Sequence, residues 1–108
     1  MTAPVKQIDI KPEELQAVRK ILEKHVPEFD VCAFGSRVQW KASRTSDLDL
    51  VVMTDKPLSL LQLIDLKEDF SNSDLSFKVD LVDWGATSEN FKKIIEKQAV
   101  LIHKGNSK

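Results

Sequence analysis

Four short apolar runs decide what this chain can fold into. Val31-Cys32-Ala33-Phe34 stops at Gly35, Leu48 to Met53 follows Asp47 and contains Asp49, Phe77 to Trp84 stops at Gly85, and Val100-Leu101-Ile102 lies near the C-terminus. Runs of this length bounded by turn residues read as buried strands. Segments of helical periodicity stand between them. Pro12 suits a first helical position, and Glu13 and Glu14 suit the positive end of a helix dipole. Leu15, Val18, Ile21 and Leu22 then recur at helical spacing up to Pro27. Leu60, Leu61, Ile64 and Phe70 predict a second helix through about Ser71. Ser88 is a candidate N-cap for a third, carrying Phe91, Ile94 and Ile95. The order α-β-(short α)-β-α-β-α-β indicates an α/β or α+β domain with helices packed on a sheet. The helix between the second and third strands is long enough for a parallel crossover. Only Gly35 to Ser46 joins strands one and two, and either pairing direction suits that link.

With 108 residues the chain is expected to form one domain, 1–108. Only Met1–Pro4 and Gly105–Lys108 read as loose ends. Lys and Arg total 16 against 17 Asp and Glu, a net charge of −1. That balance lacks the basic field of a protein that coats nucleic acid, so direct DNA binding is not expected. The lone cysteine, Cys32, excludes an internal disulfide and a cysteine metal cluster, and its place in an apolar strand marks it as a small core residue. No apolar run approaches the ~20 residues of a membrane helix, and Met1 to Asp9 lacks an apolar signal segment. A reduced, cytoplasmic location is expected.

The stretch from Gly35 to Leu50 carries the chemistry. Gly35 permits close backbone approach and unusual dihedrals. Ser36 is a good N-cap for a short helix, whose first N–H groups would form an anion site with the serine hydroxyl. From Val31 to Ser46 there is no acidic residue, while Arg37, Lys41 and Arg44 are basic. A positive loop after a Gly-Ser turn suits a polyphosphate, although such turns are common.

Asp47 and Asp49 open the second strand. Side chains two apart on a strand share a face, roughly 6.6–6.8 Å apart along it, and two such carboxylates can converge on a hard cation such as Mg²⁺. With 17 acids, about two or three acid-x-acid spacings arise by chance, and Glu28 and Asp30 are one of them. The spacing gains meaning because it leads into Leu50-Val51-Val52-Met53, where an unpaired charge is costly. Asp80 stands inside the apolar run Phe77-Lys78-Val79-Asp80-Leu81-Val82. Alternation puts Asp80 and Val82 on one face and Val79, Leu81 and Asp83 on the other. If strands two and three are neighbours, Asp80 faces the Asp47/Asp49 pair; otherwise it is an edge residue or an ion-pair partner of Lys78. Asp83, beside Gly85, reads as a turn residue. His25 and His103 read as surface or packing histidines.

Gly-Ser, ten residues, Asp-x-Asp and a later strand Asp together resemble the nucleotidyltransferase superfamily that includes DNA polymerase beta and kanamycin nucleotidyltransferase. The short length is similar to the minimal nucleotidyltransferases, typically encoded beside a HEPN-domain protein and acting as antitoxin of a HEPN/MNT toxin–antitoxin pair. The motifs span Phe29 to Trp84, with Ser46-Asp47-Leu48-Asp49-Leu50 and Val79-Asp80-Leu81 as their core. One departure is plain: where the family often has a second glycine, Gly-Ser-x-x-x-Gly, this chain has Trp40. That residue could cover the nucleotide, face a partner or pack on the domain.

The resemblance implies a single α/β (α+β) nucleotidyltransferase-fold domain, a mixed sheet of about four strands flanked by helices. It implies Asp47, Asp49 and Asp80 as catalytic residues holding Mg²⁺, with Asp80 helping to deprotonate the attacking hydroxyl. It implies Gly35, Ser36 and Arg37 as nucleotide-binding residues, with Lys41 a weaker candidate. The expected reaction is transfer of AMP from ATP to a hydroxyl, a tyrosine first among candidates, on a HEPN-domain partner in a hetero-oligomer. The chain holds no acceptor domain, so a second macromolecule is expected to supply the acceptor. An alternative is a binding module that neutralises the partner by occlusion, using Trp40, Trp84 and the segment Leu58 to Leu66, although core packing is the commoner use of such leucines. A small-molecule nucleotidyltransferase is a third reading.

Overall fold

The computed structural model describes residues 8–40 and 46–106. Helix α1 spans Pro12–His25, with Pro12 in its first turn and Glu13 and Glu14 beside it. Its Leu15, Val18 and Leu22 are buried, as the spacing requires. Strand β1 is Val31–Phe34 and β2 is Leu48–Val52. Helix α2, Leu60–Ser71, is capped by Ser59, whose hydroxyl accepts from the Gln62 amide. Strand β3, Val79–Asp83, runs into a single 3₁₀ turn, Trp84–Ala86. Helix α3, Glu89–Gln98, is capped by Ser88 as predicted, and β4 is Val100–His103.

The result is one small α+β domain with a four-stranded mixed sheet, ordered β3-β2-β1-β4. The short β1–β2 link makes an antiparallel pair, and β4 also lies antiparallel to β1. β2 and β3 are parallel, joined through α2. Each sheet face buries a separate apolar layer. α1 and α2 cover Val31, Ala33, Leu48, Leu50, Val52, Leu81 and Ile102 on one face. On the other, Ile95 of α3 packs on Phe34 and Val51, with Cys32, Val82 and Trp84 around them. Period-two alternation therefore sends Asp49 and Asp80 to the α3 face, the thinner of the two layers.

Three expectations are corrected. The leucines of α2 do not all serve the core: Leu66 and Phe70 are buried, whereas Leu60 and Leu61 are 72% and 74% exposed. The helix is amphipathic toward α1 and the sheet only through its later turns. The described part of the C-terminal segment is also tied down, because the Gly105 amide donates to Asp30 Oδ1 and the Asn106 amide to the Pro27 carbonyl. Finally, Phe77 lies outside β3, buried beneath the Arg37 guanidinium, which sits 4.6 Å from its ring centroid. The two histidines pack as read: buried His103 bonds the Phe29 carbonyl and Glu23, and His25 meets Asp69 at 2.8 Å. Among the described residues, no helix is long and apolar enough to cross a membrane.

Candidate active site

Asp49 and Asp80 are direct register partners on the parallel strands β2 and β3. Asp47 precedes Asp49 by two residues, at the mouth of the same strand. On β1, Phe34 is the partner of Asp49, so Gly35 begins where the acidic pair lies. The approach is close. A Cβ added to Gly35 would stand 2.2 Å from Asp49 Oδ2, and Gly35 has φ +87°, a backbone state that L side chains rarely adopt. Glycine is required here twice, for its dihedral and for the carboxylate that occupies the space of a side chain.

Electrostatics mark the same place. Burial pushes the Asp49 carboxyl above its ordinary range, and the negative charges of Asp80 and then Asp47 push it further. Among the described residues, none of the three enters an ion pair. Among the described residues, no three acidic, histidine or cysteine side chains stand close enough to form a ready metal cluster. The donor set still fits a hard divalent cation: carboxylate oxygens on adjacent strands, repelling one another, with Asp47 and Asp80 open to solvent.

Ser36 opens a turn in which the Val38 and Gln39 amides both donate to the Gly35 carbonyl, at 3.1 Å each. Its side chain takes no hydrogen-bond partner among the described residues. The Gly35 amide itself is engaged: it donates to Gln98 Oε1 at the end of α3. Gly35 therefore contributes room more than a free donor.

Arg37 is placed differently from the sequence expectation. It is only 7% exposed. Its Nε and Nη2 donate to the Ser46 carbonyl, at 3.1 and 2.9 Å, and Nη1 donates to the Asp9 carbonyl at 2.8 Å. With its other face on Phe77, this guanidinium clamps both ends of the loop and fixes the residue before Asp47. It is a structural clasp, a use that local sequence does not reveal for an arginine after a Gly-Ser turn. Lys41 and Arg44 lie outside the described residues. Trp40 is 55% exposed and takes φ +57°, so this chain keeps the left-handed backbone that a glycine would favour at that position.

Asp83 serves a turn, as read. Its Oδ1 accepts from the Thr54 hydroxyl and the Gly85 amide, and its Oδ2 accepts from the Leu58 amide at 2.5 Å. A groove of about 590 Å³ between α1 and β4, lined by Arg19, Lys20, Glu23 and Lys104, holds none of the predicted site residues. Asp47 borders a different groove of about 700 Å³ that runs along the end of α2 to Lys78 and Val79.

Residues 16–108 match the family model "Polymerase beta, Nucleotidyltransferase". Over 96 residues the chain is 53% identical to a Haemophilus influenzae protein named "Probable protein adenylyltransferase MntA", covering 89% of this chain and 84% of that protein. Protein adenylyltransferase MntA of Thermococcus cleftensis is 28% identical over 95 residues, covering 82% of this chain and 95% of the relative. A crystal structure of a toxin–antitoxin with AMP-PNP contains a chain of similar fold. It is 26% identical with a TM-score of 0.71, over 85% of this chain and 73% of that one.

Proposed function

The chain belongs to the polymerase beta nucleotidyltransferase family, and on that premise we propose that it transfers AMP from ATP to a hydroxyl, in our reading that of a tyrosine, on a HEPN-domain toxin and thereby acts as its antitoxin. One observation carries the reading: Asp49 and Asp80 are register partners beside a glycine whose side-chain space Asp49 fills. Relatives named protein adenylyltransferases support the reaction, and the AMP-PNP in a related toxin–antitoxin supports ATP as donor. The reaction draws on ATP, and we place it in the cytoplasm.

Asp47, Asp49 and Asp80 are the residues that would hold Mg²⁺. When bound, the ion would neutralise charge on the triphosphate and on the carboxylates themselves. The chain's own groups do the rest. The Ser36 hydroxyl donates to a phosphate oxygen, and Gly35 leaves the carboxylate and the triphosphate room to meet. The acceptor hydroxyl oxygen forms a bond to the α-phosphorus while the bond from that phosphorus to the bridging oxygen breaks, releasing pyrophosphate. The hydroxyl proton passes to Asp80, exposed on the strand beside Asp49. Arg37 holds the loop and touches no reacting atom.

The test is incubation of the chain with its partner, Mg²⁺ and α-labelled ATP. Label on the partner, lost with Asp47→Ala and Asp49→Ala, is the expected result. No transfer, or undiminished transfer by the double variant, overturns the reading. A second reading, neutralisation by occlusion, is favoured by the exposed Leu60, Leu61 and Ile64 on α2. Full protection of cells by the double variant would support it.

A further inference from the structure

Strand β4 accompanies β1 only as far as the pair Ala33↔Val100. It stops there because the Ala99 amide turns back to the Ile95 carbonyl and ends α3. The Gly35 amide lies past the last strand pair, and the Gln98 side chain takes over where backbone fails. A backbone N–H only donates, so the atom it meets is the carboxamide oxygen. The same helix braces the neighbouring residue. Phe91 packs edge-on against Phe34, ring centroids 5.8 Å apart, and Ile95 is buried beneath Phe34. Glycine at φ +87° has no Cβ to resist rotation of its peptide, so a hydrogen bond is what holds it.

We infer that Gln98 is a positioning residue for the phosphate-binding turn: its carboxamide oxygen fixes the Gly35 peptide, and with it the Ser36 hydroxyl, against the Asp49 carboxylate. Its functional consequence rests on the nucleotidyltransferase reading above, whereas the hydrogen bond does not. Two side-chain elements far apart in sequence thus meet at the turn. Asp49 fills the space where Gly35 lacks a side chain, and Gln98 holds its amide. Gln98→Met keeps length and flexibility and replaces the carboxamide oxygen with a weakly accepting thioether; Gln98→Glu keeps a strong acceptor at the same reach.

Two measurements on the full chain test the inference: amide hydrogen exchange at Gly35 in nucleotide-free protein, and the Kd for AMP-PNP with Mg²⁺. In Gln98→Met, Gly35 exchange should accelerate at least tenfold and AMP-PNP binding should weaken about five- to tenfold, the scale of one lost hydrogen bond. Tm should fall by no more than about 10 °C, the scale of that one hydrogen bond, because Ile95 carries the packing of α3. Gln98→Glu should restore slow exchange. Unchanged exchange in Gln98→Met overturns the inference, and so does faster exchange with unchanged affinity, which would leave the bond a structural detail. If the wild-type chain binds no AMP-PNP, the nucleotidyltransferase reading itself falls and this inference falls with it.

Discussion

Gly35→Ala is the sharpest test of the site's construction, because two separable terms oppose the new methyl group. The first is the dihedral: φ +87° costs an L residue about 1–2 kcal/mol. The second is contact. The added Cβ would lie 2.2 Å from Asp49 Oδ2 and 3.2 Å from Asp49 Cγ, but 3.4 Å from Asp49 Cβ, which is ordinary packing. Forcing the carboxylate aside costs about 1–3 kcal/mol, the usual scale of overpacking. The sum is about 2–5 kcal/mol, against a total stability of about 5–15 kcal/mol for a domain of this kind. At about 4–8 °C per kcal/mol, Tm should fall by about 10 °C or more. Asp49→Ala deletes the two nearest atoms and leaves the Cβ. In that background Gly35→Ala should cost only the dihedral term, a coupling of about 1–3 kcal/mol in a double-mutant cycle. Thermal and denaturant unfolding of the four proteins gives the answer. If Gly35→Ala costs the same with and without the Asp49 carboxylate, the two groups do not share the space described, and the site is built some other way.

Three further outcomes follow from the geometry. Arg37→Lys should destabilise by about 2–3 kcal/mol, because one ammonium cannot serve the Ser46 and Asp9 carbonyls in the planar fork, nor stack on Phe77 as the guanidinium does; an unchanged denaturation midpoint would refute the clasp. Trp40→Gly should leave stability equal or raise it by up to about 1 kcal/mol by relieving φ +57° at an exposed position, and a clear drop in Tm would show that the indole packs on something. The hydrogen bond from His25, followed by Lys24, holds the Asp69 carboxyl below its ordinary value. A depressed acid stabilises the fold above its unfolded pKa and loses that contribution as pH falls through the folded one. The Tm deficit of Asp69→Asn should therefore be present at neutral pH and vanish in acid; a deficit independent of pH would refute the linkage.

Much of the architecture was legible in the residues alone, and the reason is locality. Apolar runs bounded by glycine, the capping serine at 88, and the helical spacing of Leu15, Val18 and Leu22 are each decided within a few residues of chain. The same holds for the candidate carboxylates: Asp47 and Asp49 share a face by strand period, and Asp80 interrupts an apolar run, which is itself a signal. Placing Asp80 opposite Asp49 needed the parallel register of β2 and β3, and that depends on how α2 crosses the sheet.

Other features have no local signature. Nothing local to an arginine after a Gly-Ser turn shows that the fold will bring the Asp9 and Ser46 carbonyls and the Phe77 ring around it. Leu60 and Leu61 fit a helical core stripe in sequence, yet α2 docks through Leu66 and Phe70, so they face solvent. Gln98 is an ordinary polar residue near a helix end, and only the point where β4 parts from β1 gives it the Gly35 amide. Element type follows from periodicity along the chain. Which polar group meets which is set by contacts between residues tens of positions apart, and those exist only once the two apolar layers have closed on the sheet.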